Sequence, residues 1–258
     1  MIPFLSLLRR ETMRFLKVIV QTVFTPLVSS CLYLLVFGVS LGAAIQLPSK
    51  VPYLAFLIPG LVMMGLMNNA FQNSSSSIVI AKFTGELEDL RVVPLSPSAI
   101  LWAMGLAAVV RGIVVGGVTF LVGFIFYYYR SGEFLSVAHP FELILVAVMG
   151  GLVFGFLGLA SAFWAKSFDQ LSAVNAFILL PLTYLGGVFI SVEQLHPFWQ
   201  KLSHANPLFY FINGMRHAIV GVSDVPIDVS LWVIFGSAVL FYGVAHWSLK
   251  TAVFQRWG

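Results

Sequence analysis

The sequence predicts an all-α integral membrane protein with six transmembrane helices, and three observations carry that reading. Apolar residues make up 59% of the 258 against 9% charged, a balance that leaves too little polar surface for a soluble domain. Mean hydropathy is +0.96. The apolar residues are gathered in runs of about 20 or longer, the length a helix needs to cross about 30 Å of hydrocarbon. None of these runs alternates with period two, so a barrel is excluded and each backbone must satisfy its own hydrogen bonds as a helix. Residues 1–258 read as a single transmembrane domain, with no room for a second, soluble one.

The runs are residues 18–41, 53–72, 99–129, 141–165, 171–190 and 229–249. Ahead of the first, residues 1–17 form a basic amphipathic helix at the membrane interface. Ser6, Arg10, Arg14, Lys17 and Gln21 repeat every three to four residues, with Leu5, Leu8, Phe15 and Leu16 on the opposite side. The short apolar stretch 2–8 is not a secretion signal, because Arg9, Arg10, Arg14 and Lys17 follow it and no basic residue precedes it. The third run is longer than a bilayer requires, and Ser96 and Pro97 supply its N-cap and first helical residue. Gly112, Gly116, Gly151, Gly155 and Gly158 mark close helix approach, either within the bundle or between copies.

Residues 191–221 are too aromatic for a solvated linker, and Pro197 and Pro207 divide them into pieces too short to span. Short helices that enter the outer leaflet and return fit this stretch. The distribution of basic residues places both termini in the cytoplasm. Arg9, Arg10, Arg14, Lys17, Lys82, Arg91, Lys166, Lys250 and Arg256 are then inside, against Lys50, Arg130, Lys201 and Arg216 outside. The net charge of +4 is thus a topology signal, and the scattered basic residues form no stripe for nucleic acid. Cys31 is the only cysteine, which excludes an intrachain disulfide and a thiolate metal cluster.

The chain contains no GxxxxGK[ST] loop, so it is not expected to be an enzyme that hydrolyses ATP. Intramembrane carboxylates for a proton relay are nearly absent, with Glu142 and Asp169 near the ends of runs. His139, His196, His204 and His217 fall on the outer side, either as interfacial histidines or as part of a membrane hydrolase or transferase. An autonomous secondary transporter is a further alternative. No HExxH or GxSxG motif supports the hydrolase, and no bound metal or cofactor is expected.

Arg111 is the one basic residue well inside a run. It either lines a pathway for an anionic headgroup or snorkels to the inner headgroups. Asn68, Asn69, Gln72, Asn73 and Ser74 to Ser77 border a water-filled entrance or form a solvated helix end. The densest charge lies in residues 82–95, where Phe83, Leu87, Leu90 and Val93 recur at helical spacing and Pro94 ends the helix. Glu86, Glu88, Asp89 and Arg91 take the other faces, a mixture suited to docking in a partner's groove. The bland reading of the same segment is a loop helix that shields the bundle.

The sequence FLIPGLVMM at 56–64, AKFTGELEDLRVVPLSPSAI at 81–100 and VVRG at 109–112 resembles the permeases of type-2 ABC exporters. The stretch PLTYLGGVFISVEQLHPFWQKLSHANPLFYFINGMRHAIVG at 181–221 is the most specific part of the match. The resemblance covers nearly the whole chain and is nearest to the YadH branch, related to the nodulation permease NodJ. It implies a bacterial inner-membrane permease that pairs with a second copy of itself and with two cytosolic ATPase subunits, which use ATP and Mg. It implies outward movement of substrate, and a coupling helix at Gly85, Glu86, Leu87, Glu88, Asp89, Leu90 and Arg91. Residues 196–220 would form re-entrant helices narrowing the exit. The pathway would run along the first, second and fifth spans, with Phe71, Gln72, Asn175 and Tyr184 as candidates for lining it. An aromatic or polar lining of the kind that guides a glycan is not evident, so a lipid-like or drug-like cargo stands beside a glycan.

Overall fold

The computed structural model describes residues 2–42, 47, 51–87 and 94–251. The described residues are helical with short connections and contain no strand. In chain order, α1 (Ile2–Leu16) leads into α2 (Ile19–Tyr33), which widens into a π-helical stretch over Leu34–Leu41. α3 (Tyr53–Thr84), α4 (Pro97–Ser131) and α5 (Pro140–Trp164) follow. α6 (Phe168–Val174) continues through a π-helical turn, Asn175–Leu179, into α7 (Leu180–Leu185). A 3-10 turn at Val192–Gln194, α8 (Pro197–Ala205), α9 (Pro207–Val220) and α10 (Ile227–Leu249) complete the chain. Six segments are long and apolar enough to cross a membrane.

α3 is the axis of the bundle. Its most apolar stretch is 83% buried inside the protein, against 17% for the first, fifth and sixth spans. It packs against α4, α5 and α9, and α10 leans on α5 from outside. Small residues set how close these helices come. A Cβ at Gly158 would stand 2.5 Å from the Phe71 carbonyl oxygen, one at Gly112 3.0 Å from the Leu66 carbonyl oxygen, and one at Gly151 2.9 Å from Val109 Cα. Gly155 and Gly116 make similar approaches to Ala108 and Leu66. These glycines are therefore used within one chain, to bring α4 and α5 onto α3 and onto each other.

Two helix boundaries differ from the sequence reading. The second span does not stop at residue 72: α3 continues to Thr84, where Gly85 turns the chain with φ +79°. Asn73, Ser74, Ser75 and Ser77 are buried under neighbouring helices, so this polar row is the interior of a helix and not its solvated end. Lys82 to Thr84, expected in a separate handle helix, are the last turn of α3. The fifth span is shorter than 171–190 and broken. Pro181 has no N–H to offer the Phe177 carbonyl, and the Leu180 N–H bonds back to Asn175 in the wider π pattern. Gly187, at φ +83°, then ends the helix after Leu185 and turns the chain toward the 3-10 segment.

Ser96 caps α4 as expected, its Oγ accepting from Ala99 N at 3.2 Å, with Pro97 as the first helical residue. The amphipathic face of α1 is rotated from the expected one. Leu7, Glu11 and Phe15 are buried, whereas Leu5 is exposed.

Gly158→Leu should cost about 3 kcal/mol through overpacking against Phe71. Gly117, with nothing within 4 Å of its Cβ position, should accept Ala with a change of about 1 kcal/mol or less. Thermal unfolding of the two purified variants in detergent measures both.

Candidate functional site

Polar side chains recur along one face of α2 as Gln21, Thr22, Thr25 and Ser29. They look across a cavity of about 440 Å³ at Asn68, Asn69 and Gln72 of α3 and at Arg111 and Thr119 of α4. Ser30 closes one side by donating its hydroxyl to Thr119 Oγ1 at 3.3 Å. A second cavity of about 260 Å³ adjoins the first toward α1, bounded by Phe71, Gln72, Ser75, Ser76 and Arg111 and by Phe168, Leu171, Ser172 and Asn175 of the broken helix. Gln72 and Arg111 border both, so the two spaces form one groove with a guanidinium at the junction.

α1 is fixed beside the lower end of this groove. Glu11 is 2% exposed and accepts from Ser77 Oγ at 2.6 Å, from Arg14 Nε at 3.3 Å and from Arg10 Nη2 at 3.2 Å. Arg14 also donates to the Asn73 carbonyl at 2.6 Å and to Ser76 Oγ at 3.2 Å. A buried carboxylate is tolerated only when ion-paired and hydrogen-bonded, and this one is both.

At the opposite end of α3, Arg216 from α9 is 1% exposed. Its Nη2 donates to the Gly187 carbonyl at 2.7 Å, its Nη1 meets Asp224 at 3.5 Å, and its guanidinium lies 3.7 Å above the Phe56 ring. Burial lowers Arg216 to about 10, partly opposed by Asp224, so it stays charged at neutral pH. Asn213 supports the same corner, accepting from Asp224 N at 2.7 Å and donating to Ser230 Oγ at 2.9 Å.

The histidines do not converge. His217 pairs with Glu142 at 2.7 Å and stacks on His139 at 4.6 Å, while His196 caps α8 and His204 lies edge-on to Phe209. Among the described residues no group of three His, Cys, Asp or Glu side chains is placed to hold a metal.

At the α1 end of the bundle the Lys82 ammonium donates to the carbonyls of Ala162, Phe163 and Ala165 at 2.7, 2.7 and 2.9 Å. That joins the last turn of α3 to the C-terminus of α5, where a cation is also favoured by the helix dipole. A cavity of about 680 Å³ opens beside it, lined by Leu87, Trp164, Lys166 and Trp247 among others. Trp164 donates to Ser248 Oγ at 2.9 Å and its ring lies 5.5 Å from that of Trp247.

Of the residues singled out from sequence, Phe71, Gln72 and Asn175 meet at the second cavity, and Arg111 meets Gln72 there. Tyr184 does not line either cavity but is hydrogen-bonded to Tyr33, which lines the first, and its ring lies 5.5 Å from that of Phe189. Gly85 and Glu86 are exposed and Leu87 is half-buried, while Glu88, Asp89, Leu90 and Arg91 lie outside the described residues. A polar lining, taken from sequence to be lacking, is present: the α2 residues that supply it are diluted among apolar neighbours, and only their helical spacing reveals them. The anchoring roles of Glu11, Asn213 and Arg216 depend on partners far away in sequence, such as Ser77, Ser230 and Gly187, so no local pattern signals them.

A bundle with six helical segments long and apolar enough to cross a membrane, and a polar groove between α2, α3 and α4, defines a multi-pass membrane protein. The chain matches the ABC-2 type transporter family over residues 3–220 and belongs to it. It is 38% identical to the inner membrane transport permease YadH of Escherichia coli (strain K12) over 244 residues, 95% of this chain and 93% of that protein. Nodulation protein J of Neorhizobium galegae is 26% identical over 254 residues, covering 96% of this chain and 91% of its own length. The daunorubicin resistance ABC transporter permease protein DrrB1 of Streptomyces coeruleorubidus is 26% identical over 211 residues, 80% and 71% of the two chains. The chain is accordingly a membrane permease of an ABC transporter, of the inner-membrane, multi-pass kind.

Asp224→Ala leaves the Arg216 guanidinium buried without its counter-ion and should cost about 3 kcal/mol. Asp228→Ala, at an exposed position of α10, should change stability by about 0.5 kcal/mol or less. Thermal unfolding of the two purified variants separates these outcomes.

Proposed function

We propose that this chain is the membrane-spanning subunit of an ATP-driven exporter, working as a pair of copies with two cytosolic ATPase subunits that bind ATP and Mg. The observation that carries this reading is the continuity of α3. One helix of 32 residues, about 48 Å long, runs from the Arg216 corner past the polar groove to Gly85 and Leu87. A helix buried on most sides transmits displacement along its length, since close-packed interiors do not absorb it. Motion imposed at the Thr84 end of α3 would reach Asn68 and Gln72 along one uninterrupted helix.

Several features support the remaining assignments. The sequence has no P-loop, so energy has to enter from another protein. The bias of basic residues supports a cytoplasmic position for both termini, α1 and the coupling segment 82–95. α8 and α9, with 9 and 14 residues, are too short to span and suit re-entrant helices that narrow the outer exit. α2 and the Asn175–Leu185 stretch, which contribute walls of the groove, expose Phe24, Leu32, Phe177 and Tyr184, a face suited to a second copy. Outward transport follows the exporter reading. A drug-like cargo is supported by the similarity to the daunorubicin resistance permease, and lipid-like or glycan cargo fits a groove that joins a polar lining to the apolar side chains of Phe71, Phe168 and Leu171.

Leu87→Gly or Leu90→Glu should reduce co-purification of an ATPase with this chain, and the transport that depends on it, by about tenfold. Unfolding temperature should stay at the wild-type value. Retention of both the ATPase and transport in these variants would exclude the coupling role.

A further inference from the structure

Arg111 lies 14 residues into α4 from Pro97, about 21 Å along a helix of 35 residues. That depth is well beyond the first turn, and Arg111 lines both cavities. Its Nε is buried without a hydrogen-bond partner. Arg14 lies within electrostatic reach, a second positive charge at the lower end of the groove. The described residues lining the two cavities include serine, threonine, asparagine and glutamine, and none of them is a carboxylate.

A guanidinium in an apolar segment is costly, by about 2.5 to 3.5 kcal/mol on insertion scales, and is ordinarily paired with an acid or with backbone carbonyls. Glu11 shows the alternative arrangement nearby, a buried charge satisfied by Arg10, Arg14 and Ser77. Among the described residues Arg111 has no such counter-ion in the groove. Instead it faces neutral donors: Gln72 borders both cavities with it, and Ser76 and Asn175 stand around the second. An arginine surrounded by amide and hydroxyl groups matches a tetrahedral or planar anion, which needs several donors and one or two positive charges. The apolar flank supplied by Phe71, Phe168 and Leu171 matches an acyl or other apolar chain attached to it.

We infer that the junction of the groove is a binding site for the phosphate group of an anionic amphiphile, held by Arg111 with Gln72 as neighbouring donor. This deepens the exporter reading by giving its cargo a charge and a class, and it rests on that reading for the meaning of the groove. The binding itself belongs to this chain alone. It is therefore measurable without an ATPase, and its failure would leave the co-purification result standing, as the converse would leave the binding.

The test uses the full chain purified in dodecyl maltoside and titrated with lysophosphatidate, with lysophosphatidylcholine of the same acyl chain, and with inorganic phosphate, reading thermal unfolding. Lysophosphatidate should raise the unfolding temperature saturably, and Arg111→Gln should raise its half-saturating concentration about tenfold or more. Gln72→Glu should weaken it comparably, because the new carboxylate neutralises the guanidinium that the phosphate needs. Without lipid, both variants should unfold at the wild-type temperature or above, since Arg111 gives up no partner when it is removed. Equal titrations of the wild type and Arg111→Gln would overturn the site, as would an equal response to lysophosphatidylcholine. Saturation by inorganic phosphate at the same concentration would overturn the amphiphile. A large loss of stability in unliganded Arg111→Gln would show that the residue is structural and overturn the inference as well.

Discussion

Everything in this bundle depends on α3 being buried in protein rather than lipid. A helix carrying Asn68, Asn69, Gln72, Asn73 and four successive serines would be a poor membrane helix alone. It becomes a good one when α4 and α5 cover it, and the close approaches at Gly112, Gly151 and Gly158 make that cover possible. Without the glycines the polar row would be pushed toward lipid, and the groove on its remaining side would lose one wall.

Cationic side chains hold α3 at both ends and along its lower third. Arg216 lies over Phe56, and Arg14 binds the Asn73 carbonyl and Ser76, positions about 30 Å apart along the helix. Lys82 then ties the last turn to the end of α5. Each of these cations has carbonyl, hydroxyl or buried-acid partners, in the manner that makes a charge in a low-dielectric setting tolerable. Arg111 is the contrast. It belongs to the helix that supports α3, and although Arg216 shares its unpaired buried Nε, Arg216 meets Gly187 and Asp224 through its terminal nitrogens, while no acid among the described residues lines the cavities around Arg111. Structural cations and a ligand-facing cation can thus be told apart here by their partners.

The number and order of spans were legible in the sequence, because long apolar runs leave a helix no alternative in hydrocarbon. So was the start of α4 at Ser96 and Pro97, where the capping chemistry is local. The end of α3 was not legible. Asn73 to Ser77 look solvated in sequence, and only the docking of Glu11 and Arg14 from α1 explains why the helix continues through them. The break at Pro181 was overlooked because hydropathy averages across it. For the site, Phe71, Gln72, Asn175 and Arg111 were picked out and do meet, whereas Tyr184 belongs to an aromatic cluster with Phe189. The α2 wall escaped notice since Gln21, Thr22, Thr25 and Ser29 are spread through an apolar run, although their spacing on one helical face is the signal that reveals them. The Arg216 corner depends on residues separated by up to 160 positions, from Phe56 to Arg216, and no local pattern announces such a contact.

The central claim is that α3 carries motion from the coupling end to the groove as one body. Spin labels at residues 72 and 84, each measured between the two permease copies of an assembled transporter, would follow both ends of that path. On ATP trapping, a rigid α3 predicts that the two distance distributions shift together, from the same subpopulation and over the same nucleotide range. A shift at residue 84 with residue 72 unchanged would contradict it.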